Sequence, residues 1–217
     1  WTAPSDGITI DLVDPVAGDT TDELPENNHR DPEVSSSPFI MFGFTPTDSG
    51  SGIEAVHIQV SSGSAFTSIV ASVSLPATAT QYLFGSGVDD REYFARVSAR
   101  DRSQRSSPWG NHSNGLRIDM SGPTGLLHMV PFPWGSSTSV IASLSAADKS
   151  LVHSQMEVSM DGGGYAAYAY ASSTLLNLPP PVAEGWHTIS IRCLDTLYNV
   201  STFTAMTGCD FSPPLTP

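Results

Sequence analysis

Acid–base or metal chemistry in this 217-residue chain would have to draw on its six histidines, its 22 carboxylates, and its serines and two cysteines. The histidines, His29, His57, His112, His128, His153 and His187, are scattered. Only His153 and His187 fall on strands expected to be neighbours, and a zinc ion needs three or four ligands. No Gly-X-Ser-X-Gly elbow, His-Glu-X-X-His pair, Walker loop or helix-opening Gly-X-Gly-X-X-Gly is present. Gly162-Gly163-Gly164 has neither a helix nor a lysine after it, so it reads as a turn. A hydrolase would need a nucleophile beside a base, or two converging carboxylates. Neither pattern is found, so no enzyme is expected, and no catalytic, cofactor-binding or metal-binding residue is assigned.

Four weaker constellations remain. Asp89, Asp90 and Glu92, with Asp48 and Asp101, are the residue types that could gather a calcium ion at one end of a β-fold, although their spacing matches no calcium loop. Trp109, Trp134, Trp186, Tyr165, Tyr168 and Tyr170 are candidates for stacking on carbohydrate, with packing as the alternative. Asn111-His112-Ser113 and Asn199-Val200-Ser201 have the form of glycosylation acceptors, and Asn is equally a turn former. Cys193 and Cys209 are candidates for a bridge closing a loop of about 15 residues, worth ~3 kcal/mol, or for buried free thiols.

The formal net charge of −13, with Lys149 the only lysine beside eight arginines, leaves no basic surface for a phosphate backbone or an anionic membrane. Neither nucleic-acid binding nor membrane insertion is expected, since no apolar run approaches a membrane span. No basic-then-apolar leader opens the chain, which therefore reads as mature or excised.

These residues must be positioned by short strands. Alternation with a period of two recurs between Gly, Pro, Ser, Asn and Asp punctuation, and helical stripes are missing. Val56, Ile58 and Val60 share one face, and so do Ile69, Ala71, Val73 and Leu75, then Tyr93, Ala95, Val97 and Ala99, then Leu116, Ile118 and Met120. Val140, Ala142 and Leu144, then Val152, Met156, Val158 and Met160, then Ile189, Ile191 and Cys193 form a second set. Ser121-Gly122-Pro123-Thr124-Gly125 should interrupt pairing, which places a first domain at 1–122 and a second at 123–217. Asp14 to Pro38 reads as a long polar strap, and Asp210 to Pro217 as a Pro-rich linker.

Tyr93-Phe94-Ala95-Arg96-Val97-Ser98-Ala99-Arg100-Asp101, followed by a Ser-rich stretch and Trp109, resembles the sixth strand of a fibronectin type III domain, with Phe44 where that family usually has Trp. The resemblance implies that the Tyr93 hydroxyl closes a corner between sheets. Asp161-Gly162, then Gly185-Trp186-His187 to Asp195 and Asn199-Val200-Ser201, resemble a bacterial-type immunoglobulin-like repeat. Together they imply an all-β pair of tandem sandwiches in a large cell-surface or secreted protein, with a structural, spacing or adhesive role. Neighbouring modules or other protein chains are the implied partners, and an accessory carbohydrate- or protein-binding module is the alternative. Edge strands are expected around Ile8 to Val13 or Leu116 to Met120 and around Thr202 to Met206, the last of them covered by a neighbour, a partner chain or a glycan on Asn199.

Overall fold

The computed structural model describes residues 10–23, 34–150 and 152–212, and no helix occurs among them. The chain divides into two compact units, Trp1–Met120 and Ser121–Pro217.

The first unit contains β1 (Thr20–Glu23), β2 (Val34–Ser35), β3 (Ile40–Phe44), β4 (Ile53–Ser61), β5 (Ile69–Pro76), β6 (Gln81–Phe84), β7 (Arg91–Asp101) and β8 (Leu116–Ile118). They form a three-stranded sheet, β1-β3-β6, and a five-stranded sheet, β2-β8-β7-β4-β5. The second unit contains β9 (Thr124–Val130), β10 (Trp134–Gly135), β11 (Ser139–Ala147), β12 (Val152–Met160), β13 (Ala166–Ala169), β14 (Ser173–Asn177), β15 (Gly185–Asp195) and β16 (Val200–Cys209). Its sheets are β14-β11-β9 and β10-β16-β15-β12-β13, the order of the first unit with every strand number raised by eight. The parallel pairing recurs too, β2 with β8 and β10 with β16.

Period two in the sequence becomes one buried face per strand, because successive side chains leave a pleated strand on opposite sides. Ile40, Phe42, Phe44 and Phe84 of the small sheet meet Val56, Ile58, Val60, Tyr93, Ala95, Val97, Leu116 and Ile118 of the large one. Met129, Val140, Ala142, Leu144 and Leu176 meet Met156, Val158, Ile189, Ile191 and Cys193 in the second unit. Each unit is thus a β-sandwich with its own core, and the chain is an all-β tandem. The Tyr93 hydroxyl accepts a hydrogen bond from the Val88 N–H at 3.0 Å, closing the corner that the sequence motif implied. Asp161 and Gly162 both have positive φ, 51° and 74°, with Gly163 N–H donating to the Met160 carbonyl, the geometry of a type I′ turn.

Several expectations are corrected. The strap holds β1, β2 and a bridge from Val16 to Thr47, because the acidic segment pairs through its backbone whatever its side chains. Thr124 and Gly125 belong to β9 and not to the joint. Residues 10–13 form no strand, and Leu116–Ile118 lies inside its sheet. The bare edge of the first unit's large sheet is instead β5, whose eight residues carry no charge. The β16 strand is flanked by β15 and, at Gly208 and Cys209, by β10. Ile8, residues 24–33 of the strap and Pro213 to Pro217 of the tail lie outside the described residues.

Candidate functional site

An exposed aromatic pair of the second unit is built on a glycine. Gly208 of β16 faces Trp186 of β15 on one side and Trp134 of β10 on the other. The Trp134 ring lies directly over Gly208, where a Cβ would penetrate it. The two indoles touch, with centroids 4.7 Å apart and planes inclined at 48°. Each is about half exposed, 48% for Trp134 and 49% for Trp186. Pro131 and Pro133 bring Trp134 there: proline donates no peptide N–H, so pairing with β11 ends at Val130 and the chain crosses to the other sheet. On the same outer face, Thr188 pairs with Met206, Ser190 with Thr204 and Arg192 with Thr202. The Ser190 and Thr204 hydroxyls are 3.2 Å apart. The Arg192 guanidinium stacks 3.8 Å from the exposed Tyr165 ring and stands 3.8 Å from Glu157. Tyr168 and Tyr170 instead pack against the core, and the Tyr170 hydroxyl bonds the backbone of Ala146.

In the first unit, Arg96 lies between aromatic rings, 4.3 Å from Phe66 and 4.5 Å from Trp109, while Gln59 accepts from its guanidinium. Trp109 also touches His57, whose Nε2 is 3.0 Å from the Ser72 hydroxyl. A shallow groove of about 270 Å³ beside them is lined by His57, Ser74, Ser98, Arg100 and Ser106. His57 has no carboxylate partner among the described residues, so nothing orients it as a base toward Ser72.

His187 is the one histidine among the described residues with a carboxylate partner, Asp161, at 2.7 Å. Its Nδ1 donates to Asp161 and its Nε2 to the Ala183 carbonyl, so both ring nitrogens face acceptors and the imidazolium satisfies both. The Asp161 hydrogen bond holds the imidazole above its ordinary value against the opposing effect of burial. Burial pushes Asp161 up, but the bonds from His187 and the Thr188 N–H outweigh it and hold the carboxyl below its usual range. With no nucleophile attached, this pair is a clasp between the β12–β13 turn and β15. His153 lies at the opposite end of the β12–β15 pairing, so it forms no metal pair with His187.

The acidic residues considered for calcium separate. Asp89 accepts from Met120 N–H and Asp90 pairs with Arg117, whereas Asp101 ends β7, roughly 35 Å away at about 3.3 Å per residue. Asp48 and Asp101 do converge, and their third member is Asp11: one oxygen of each lies within 4.8 Å of the others. Asp11 takes Val13 and Ser51 N–H, Asp48 takes Gly50 and Gly52 N–H, and buried Asp101 takes Arg105 N–H and the Ser103 hydroxyl.

Both cysteines are free and buried. Cys193 pairs with Ser201, as its register suggested, but Cys209 pairs with Gly185, eight residues along β15, some 26 Å away. A disulfide spans at most about 7 Å between Cα atoms, so the candidate bridge is replaced by two thiols. Burial pushes Cys193 up to about 11, which leaves it protonated and inert. Asn111 is exposed, with its amide on Asp19, whereas half-buried Asn199 spends its amide on Asp195 inside the β15–β16 turn.

No protein-family profile matches the chain, and no curated protein matches it. Among solved structures, it is similar to fibronectin(III)-like modules of Clostridium thermocellum CbhA, at 15% identity and a TM-score of 0.35, covering 88% of this chain and 94% of that one. It is also similar to the FN1-FN3 domains of chicken CNTN1, at 11% identity and a TM-score of 0.41, covering 90% of this chain and 67% of that one.

Proposed function

We propose that the chain is a non-catalytic spacer or adhesive pair within a cell-surface or secreted protein, working alongside neighbouring modules or other chains. The observation that carries this reading is the repetition of one complete sandwich, strand for strand, in two units with separate cores. A repeated fold of this kind supplies surface, and among the described residues no nucleophile stands beside an oriented base. Among the described residues no helix is long and apolar enough to cross a membrane, and Asn111 is the more accessible of the two glycosylation acceptors. Replacing the pair, within the protein that carries it, by an unrelated sandwich pair of equal length tests the reading. A spacer is exchangeable and the function of that protein should survive; an adhesive element is not, and binding should be lost. Turnover of any substrate by the isolated chain would refute both.

A second reading, an accessory binding module, is supported by Trp134 and Trp186, two half-exposed indoles joined in one surface. Soluble surfaces rarely hold such area open without a use.

A further inference from the structure

The outer face of β15 and β16 is exposed to half-exposed and chemically mixed. It starts at Trp134 and Trp186 and runs through Thr188, Ser190 and Thr204 to Arg192, six residues or about 20 Å from Trp186 at ~3.3 Å per residue. We infer that this strip is a binding site for a neutral polysaccharide, laid along the strands with a sugar ring against the indole pair. The inference rests on the accessory-module reading and gives it a ligand class.

Three features select that ligand. The indoles offer apolar ring faces, which suit the C–H face of a pyranose, and Gly208 is the seat without which Trp134 could not lie beside Trp186. Beyond the exposed Met206, which extends the apolar end beside Thr188, the positions that follow carry the hydroxyls of Ser190, Thr204 and Thr202 where a protein-binding face would continue apolar, and hydroxyls pair with hydroxyls without discriminating charge. The strip's charges, Arg192 and Glu157, stand 3.8 Å apart and cancel, and Tyr165 backs the guanidinium, leaving a planar fork of donors beside a carboxylate acceptor. A chain of net charge −13 with a neutral strip disfavours acidic glycans and nucleic acids. The strip runs about 20 Å along the strands at ~3.3 Å per residue, so the fit is to an extended chain and not to a single sugar.

The test is titration of the full chain with soluble neutral oligosaccharides of glucan, xylan and mannan, followed by calorimetry and tryptophan fluorescence. At least one should bind with a change in fluorescence. Trp186→Ala and Trp134→Ala should each weaken it roughly tenfold or more, Trp186→Tyr should retain part, and Trp109→Ala in the first unit should change nothing. Circular dichroism and melting of each variant separate lost binding from lost folding, and Trp186→Tyr carries the test if an alanine variant unfolds. Failure of every glycan at millimolar concentration, or binding indifferent to both tryptophans, overturns the inference. If no glycan binds but the chain self-associates or holds a protein through Trp186, the polysaccharide falls and the accessory module stands. If Trp186→Ala alters neither, both fall.

Discussion

Single residues in this protein act mostly as clasps. The His187–Asp161 pair makes the second unit's stability depend on pH in a defined sense. His187 has its folded value raised above the ordinary 6.5, so its contribution is complete below that and is lost as pH rises through the folded value. Asp161 is lowered from 3.8, so its contribution is complete above that and is lost as pH falls through the folded value. The second unit should therefore melt highest between those limits, and its midpoint should drop on going from pH 6 to pH 8. His187→Gln should flatten that drop; an unaltered profile in the variant would show that the clasp does not couple to folding. In the first unit, Asp101→Ala strips acceptors from Arg105 N–H and the Ser103 hydroxyl and should cost about 1–3 kcal/mol by denaturant unfolding. In the first unit, the carboxylates that converge closely enough to gather calcium, the one cofactor the sequence admitted, are Asp11, Asp48 and Asp101. Each already accepts peptide N–H donors, so equal melting midpoints in calcium and in chelator are expected, and a rise with calcium that Asp11→Asn abolishes would place an ion there.

At the scale of elements, two glycines on the second unit's large sheet distinguish backbone demands from packing demands. Gly162 has a φ of 74° and nothing near its missing Cβ, so Gly162→Ala should cost only the left-handed penalty, about 1–2 kcal/mol. Gly208 lies under the Trp134 ring, so Gly208→Val should expel that indole and shift the tryptophan emission, at a cost of about 1–3 kcal/mol. Equal spectra for wild type and Gly208→Val would mean that β10 is not held as described. The Ser-rich stretch after β7 has a similar local logic. Buried Ser107 and Ser113 accept the Ala99 and Ala95 N–H groups through their hydroxyls, so an irregular segment satisfies strand donors before β8 begins.

For the whole molecule, the two cores make stability a property of each unit. Ile58→Ala, at a fully buried site in the first core, should lower that unit's unfolding free energy by about 2–5 kcal/mol, and Ile191→Ala should do so in the second. Unfolding each variant with the four tryptophans and the near-ultraviolet signal as probes should show the loss in the unit that carries the change. A loss spread evenly over one shared transition would contradict two cores. The second copy of the strand order also places the same corner, the last residue of β7 or β15, at a carboxylate, Asp101 and Asp195, each accepting turn N–H groups.

Period two along Val56 to Val60 and Ile189 to Cys193 was enough to predict strands and their buried faces, because alternation across a pleat is local geometry. Asp161-Gly162 announced its turn, and Tyr93 its corner, for the same reason: the signal and the structure lie within a few residues of each other. What lies far apart in sequence was decided by tertiary pairing. Trp134 and Trp186 became neighbours because β10 joins β16 in parallel after two prolines end β9, and no periodicity reports a change of sheet. Asp11 joined Asp48 and Asp101, while Asp89 and Asp90 were carried to the far end of β7, because strand length sets which loops share an end. Register alone kept Cys209 from Cys193: both are buried, but Cys193 of β15 faces Ser201 of β16 while Cys209 of β16 faces Gly185 at the other end of β15, and distance along a strand appears only when its pairing is known.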